Sequence, residues 1–227
     1  LGCRKTLHPI LVLPAASPAL PDLVARVSGD SLLALYNDVC NYPARHSPQQ
    51  QELVAHRLYQ WLKSRKLNCH IQSYRRGNHL FENIWVEWPG VSHPENIVIF
   101  GAHFDATSQN PDTLSPGADD NGSGLTALLH IGQILHDVSP VNTLRLVFFS
   151  NEEQGLGGSR RYVQELLQHR EKIVAAVILD MIGYSKDTGS LHAVTVPEYR
   201  WLAQSCQELL RSLGRPLLTI HVGKDCH

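Results

Sequence analysis

From about residue 31 onward, apolar positions along the chain fall into helically spaced sets and short continuous runs. Ser47, Pro48 and Gln50 supply an N-cap, a first-turn proline and a capping-box glutamine, after which Leu53, Val54, Leu58, Trp61 and Leu62 recur at helical spacing. Two strand-length runs follow, 83–88 closed by Pro89-Gly90, and 97–100. The pattern then predicts a helix over 122–136 with Leu125, Leu128, Leu129 and Leu135 inward, strands over 143–150 and 173–180, and a helix over 159–167 between them. A strand and helix pair over 191–196 and 197–213, and a last strand over 217–222, complete the set. The runs 144–149 and 174–179 are nearly continuous in apolar residues, as strands covered on both faces should be. The expected fold is α/β, a three-layer helix/sheet/helix sandwich with a mostly parallel mixed central sheet.

Composition narrows the class. At 227 residues and 43% hydrophobic, the chain has material for one ordinary core. Its 20 Lys+Arg against 21 Asp+Glu leave a formal net charge of -1, which offers no basic field for a phosphate backbone, so no nucleic-acid partner is expected. Nowhere do apolar residues run long enough to predict a membrane-spanning helix. Residues 1–30 are set apart as an N-terminal arm or the remnant of an export signal, because Arg4 and Lys5 precede the apolar run 10–13 and an Ala/Pro/Ser stretch. Five cysteines without a CxxC pair leave the redox compartment open, and nothing in the pattern speaks to oligomeric state.

In such a fold ligands collect beyond the carboxyl ends of the strands. After the run ending at Ala102 come His103 and Asp105; after 143–150 come Glu152 and Glu153; the run from Ile173 closes on Asp180. Between the first two lies Asp119-Asp120-Asn121-Gly122, leading into a helix. Taken singly, each piece reads as a turn, a helix cap or a solvated acid. Together they gather one imidazole and several carboxylates on one rim, an arrangement that needs a counter-charge. The mixed nitrogen and oxygen donors favour zinc over calcium or magnesium, and a carboxylate can bridge two such ions about 3.5–4 Å apart. Three smaller signals lose to simpler readings. The Asp187-Thr188-Gly189-Ser190 tetrad occurs once where aspartic-protease chemistry needs two carboxylates; the sequon at Asn121 sits in the metal turn; 155–158 has the wrong spacing for a dinucleotide site.

At these residues the chain resembles the co-catalytic zinc aminopeptidases of metallopeptidase family 28. The likeness rests on Gly101-Ala102-His103-Phe104-Asp105, on Gly117-Ala118-Asp119-Asp120-Asn121-Gly122-Ser123-Gly124, on the stretch from Phe148 to Ser159 and on Leu179-Asp180-Met181-Ile182-Gly183. It implies a zinc-dependent exopeptidase fold over 31–227, incomplete at its C-terminal end, and a peptide substrate. It further implies that His103 and Asp180 hold one zinc, that Glu153 helps hold a second, and that Asp119 bridges them with Asp120 beside the bridge. Glu152 would be the general base, removing a proton from a metal-bound hydroxide's parent water, and Asp105 would orient His103. The family's last histidine ligand lies either in a continuation of the chain or at His227; His221, inside a strand, is expected in the core. An extracellular or periplasmic location follows from the same likeness. Two alternatives stand beside the aminopeptidase: a glutaminyl-peptide cyclotransferase on a related single-zinc fold, and a non-catalytic binding domain, against which the intact Glu152 argues.

Overall fold

The computed structural model describes residues 19–184, 190–215 and 218–223. The expectations for His227, for Cys3 and Cys226 and for the turn at Asp187 fall outside those residues.

From Ala19 to Met181 the described residues form one compact unit. Its elements are α1 (Leu20–Ala25), α2 (Gly29–Cys40), α3 (Pro48–Ser64), β1 (Cys69–Arg76), β2 (His79–Trp88), β3 (His93–His103), α4 (Gly122–Ile134), β4 (Asn142–Phe149), α5 (Gly157–Gln168) and β5 (Lys172–Ile178). α3 starts where its capping box predicts: Ser47 Oγ accepts from the Gln50 amide at 3.4 Å, and Gln50 Oε1 accepts from the Ser47 amide at 2.9 Å. Helix α2 and strand β1 have no counterpart in the sequence reading. Helix α1 lies inside the segment set apart as an arm, and just after it Arg26 pairs with Asp137 at 2.5 Å and donates to the Ile134 carbonyl at the end of α4.

The five strands order as β1-β2-β4-β3-β5. β2 pairs antiparallel with both β1 and β4, whereas β3 pairs parallel with β4 and β5, so every strand except β2 runs the same way. The sheet is mixed and mostly parallel, as expected. Alternation along β4 places helices on both faces. Val147 and Phe149 pack with Ile97, Ile99 and with Tyr162 and Leu166 of α5. The neighbouring Leu146 points the other way, toward α4, where its Cδ1 comes within 3.5 Å of the position a side chain on Gly132 would take. The near-continuous apolar run in β4 is the consequence of covering both faces.

From Ile182 a second unit carries β6 (Leu191–Thr195), a 3-10 turn (Pro197–Tyr199), α6 (Arg200–Ser212) and β7 (Leu218–Val222). β6 and β7 pair in parallel in a two-stranded sheet of their own. His221, expected in the core, is exposed on β7; its Nε2 lies 2.8 Å from His192 Nδ1 across the pair. Among the described residues no helix is long and apolar enough to cross a membrane.

Candidate metal centre

Parallel pairing brings three strand ends to one edge. His103 lies opposite Phe149 and Gly101 opposite Ile178, so the residues following β3, β4 and β5 emerge side by side. His103 closes β3 and is 3% exposed. Its Nε2 faces Asp120 Oδ1 at 3.2 Å, Asp180 Oδ1 at 3.6 Å and Glu152 Oε2 at 3.9 Å. Its Nδ1 lies 3.1 Å from the Asp105 carbonyl and 3.5 Å from Asp105 Oδ1. A proton on Nδ1 directed there leaves the Nε2 lone pair for a cation, the usual arrangement of a metal-binding imidazole.

Asp105 is fully buried, and its carboxylate does a second job. Oδ1 accepts the Glu152 amide at 2.9 Å and Oδ2 the Glu153 amide at 3.1 Å. One side chain therefore fixes both the imidazole and the turn that carries the two glutamates. Glu153 Oε1 in turn accepts the Thr107 amide at 3.1 Å. On the opposite flank, Asn121 caps α4 by accepting the Gly124 amide at 3.0 Å, and its Nδ2 donates to the Leu179 carbonyl at 2.8 Å. That bond staples the turn before α4 to the end of β5, which is why Asp120 and Asp180 meet at His103. With Asn121 fully buried, the sequon there presents no accessible acceptor.

The charges are strained without a counter-ion. Burial pulls the His103 imidazole down, but hydrogen bonds to Asp105, Asp120 and Asp180 outweigh it and push it up to about 12. The same contact with His103 holds Asp120 below the usual carboxylate range against its burial. Burial, reinforced by the charge of Asp120, pushes Glu153 up to about 7. Glu152 is raised by burial, with Asp105, Asp180 and Asp120 adding to the shift and His103 opposing it. Within the rim a proton on His103 offsets these carboxylates, helped from outside by the charge of Arg45 on Asp120, and a divalent cation would replace that proton with two charges. His103, Asp120 and Asp180 each bring one ligand atom to within 4.8 Å of the other two. One nitrogen and two oxygens of this kind fit zinc, so the donor set agrees with the metal inferred from the sequence.

Of the residues singled out in the sequence, His103, Asp105, Glu152 and Asp180 come together at the rim, and Glu153 is tied to the same turn. Asp119 is not in that group: its neighbour Asp120 holds the position facing His103. The Asp119 carbonyl accepts the Ser123 hydroxyl at 2.8 Å, and its charge acts on Tyr36. Two adjacent acids in a turn are compositionally equal, and only the direction of the backbone into the Asn121 cap separates them.

Fold and rim together define an α/β protein whose sheet gathers a buried imidazole and several carboxylates at its carboxyl edge. The profile of Peptidase family M28 matches residues 83–219, more than half of the chain, and the chain belongs to that family. A probable leucine aminopeptidase of Arthroderma benhamiae is 31% identical over 183 residues, covering 74% of this chain and 49% of that protein. An aminopeptidase of Pseudomonas aeruginosa is 41% identical over 92 residues, 40% of this chain and 16% of that protein. The chain thus spans half or less of the length of these curated relatives. Among solved structures, the LapA aminopeptidase of Legionella pneumophila superposes with a TM-score of 0.74 at 16% identity, over 97% of this chain and 59% of that one. A glutaminyl cyclase from an Acidobacteriales bacterium gives 0.69 at 22% identity, over 94% and 77%. Both likenesses show the shared fold.

Proposed function

We propose that this chain carries the active site of a zinc aminopeptidase, which removes N-terminal residues from peptides. The observation that supports it most is the convergence of Asp120, Asp180 and Glu152 on the Nε2 of a single buried histidine. Relatives described as aminopeptidases point the same way. His103, Asp180 and Asp120 would hold one zinc. Asp120, which is hydrogen-bonded to His103 and whose charge acts on Glu153, is the candidate bridge in place of Asp119, and Glu153 would serve a second ion. Bound there, zinc would supply Lewis acidity, polarising a carbonyl oxygen and making water acidic enough to react near neutral pH.

Glu152 is the proton carrier. Among the carboxylates around Nε2 it stands farthest off, at 3.9 Å, so it is the one left free of the cation. Its raised pKa suits a group that must take a proton from water and return it to a leaving amine at neutral pH. Asp105 keeps it in place through the Glu152 amide. Glu152→Gln should retain zinc while hydrolysis of aminoacyl anilides falls by about 10²–10⁴-fold. A Gln variant with near-parental turnover would remove Glu152 from this role.

Glutaminyl-peptide cyclisation at one zinc is the second reading. It is favoured by the three-residue set His103, Asp120 and Asp180, which would suffice for a single ion, and by the cyclase among the solved structures of this fold. Ammonia release from peptides with N-terminal glutamine, measured beside anilide hydrolysis, separates the two.

A further inference from the structure

Arg45 is the bulkiest of the fully buried side chains among the described residues, and none of the roles above uses it. It lies between α2 and α3 and is held mainly by carbonyl oxygens. Nη1 donates to the Val39 carbonyl in the last turn of α2 at 3.0 Å, and Nη2 donates to the Gly117 carbonyl at 3.0 Å. Its amide donates to Ser115 Oγ at 3.3 Å, and its own carbonyl accepts the Ala106 amide at 3.3 Å. The Ser115 amide returns a bond to the Pro43 carbonyl at 2.8 Å. The Gly117 oxygen that receives Nη2 also accepts the amide of Gly122, the first residue of α4, at 2.7 Å.

These bonds enclose the two segments that carry the metal centre. Ala106 directly follows Asp105, and Gly117 and Gly122 flank Asp120. Space on the inside of the turn is fully used. Gly117 has φ +54°, and a Cβ there would come within 2.3 Å of the Asp120 carbonyl, 2.5 Å of Ala106 Cβ and 2.7 Å of Arg45 Nη2. A tie between two carbonyls needs no charge, and a buried guanidinium is costly unless something offsets it. Nε has no partner among the described residues. Burial pulls the guanidinium below its ordinary value, and the charges of Asp105 and Asp120 are among those that oppose the fall. The buried cation thus lies within the field of Cys40 and of the two acids on the other side of the turn.

We propose that Arg45 is a positioning residue of the metal centre: from beneath, it brackets the turn 115–121 against α2 and the end of β3 and fixes Asp120 before any cation binds. This rests on the reading of the rim as a zinc site. A planar fork reaching two carbonyls from different elements is what arginine has and lysine lacks. Arg45→Lys keeps the charge and loses the span.

The test compares the parent chain, Arg45→Lys and a control, Leu166→Ala, which is destabilised in the α5 core on the other face of the sheet. Zinc affinity is measured by competition with a chelator, and amide exchange is measured on the metal-free proteins. Arg45→Lys should bind zinc about 10–100-fold more weakly, the size of effect seen for groups that orient metal ligands, while Leu166→Ala binds like the parent. In the metal-free parent the Ser115 and Gly122 amides should exchange as slowly as those of β3, and in Arg45→Lys faster with β3 unchanged. Parental zinc affinity in Arg45→Lys, or an equal loss in Leu166→Ala, overturns the proposal. So does fast exchange at Ser115 and Gly122 in the parent, a result that decides the matter even if the variant does not fold. A parent that binds no zinc would instead refute the zinc reading, leaving the exchange measurement to judge the bracket.

Discussion

At the scale of single residues, the centre depends on which of two neighbouring acids turns inward. Asp120 faces His103 Nε2 at 3.2 Å, whereas Asp119 is engaged through its carbonyl with Ser123 at the start of α4. Losing a group that merely orients a ligand costs about 10–100-fold in metal affinity, so losing a ligand should cost more than about 100-fold. Asp120→Asn is therefore expected to lower zinc affinity beyond that, and Asp119→Asn to leave it near the parental value. Chelator competition on the two variants checks this; a larger loss in Asp119→Asn would return the bridging role to Asp119. The glutamate pair divides in the same manner. Both amides are held by Asp105, yet Glu152 reaches toward the imidazole while Glu153 turns to the Thr107 amide.

At the scale of elements, the rim is kept in register by polar side chains inside the sheet. Asn83, fully buried in β2, donates to Gln72 Oε1 of β1 at 2.7 Å and to the Gly158 carbonyl of α5 at 2.9 Å. Its Oδ1 accepts the Ser150 amide at 3.0 Å and lies 3.2 Å from the Ser150 hydroxyl. Asn83→Leu would strand several buried partners, each costing about 1–3 kcal/mol. Urea unfolding should show a loss of at least about 2 kcal/mol, and a variant as stable as the parent would mean that water or repacking satisfies those groups. The same residues explain what the sequence pattern hides. α3, α4, β4 and β5 are legible because a cap or a long apolar run announces them. β1 is not, because one of its inward positions is the amide Gln72, whose burial makes sense only once Asn83 is opposite. α2 does carry a signal, Ser28 accepting the Ser31 amide and Leu35 and Val39 one turn apart, but its short stripe of buried residues blends into the polar stretch around it. Site residues at strand ends were readable from the order of strands; Asp120 against Asp119 and the buried Arg45 depended on the path of a turn that no periodicity describes.

At the scale of the whole molecule, the fold tolerates a rim of carboxylates that only a cation can fully neutralise, and this links stability to both metal and pH. In the metal-free chain, His103 is held up to about 12 from an ordinary 6.5, so the stability it contributes is complete below about pH 6.5 and is lost as pH rises toward the folded value. Glu153, pushed up to about 7 from 4.5, favours its protonated form in the folded state, and it too costs stability as pH climbs from about 4.5 to 7. Asp120 is shifted down from 3.8, so its contribution is already present above that value and does not change over this range. At the rim the contributions that vary between pH 5.5 and 8 run in one direction. They are opposed by His70, whose imidazole burial lowers from 6.5, but the shift at His103 is far the larger, and the metal-free chain is expected to melt at a lower temperature at pH 8. Zinc should reverse the trend, because it displaces the protons that the rim holds and binds more tightly as they become easier to remove. At a free concentration about 100 times its dissociation constant, zinc adds about 2.7 kcal/mol to folding stability. The rise in melting temperature on adding zinc should accordingly be larger at pH 8 than at pH 5.5, and the rim variant Asp120→Asn should lose most of that rise. Thermal melts of the metal-free and zinc-loaded protein at the two pH values measure this directly, and a metal-free chain that gains stability toward pH 8 would mean that these acids are not crowded around His103 as the structure has them.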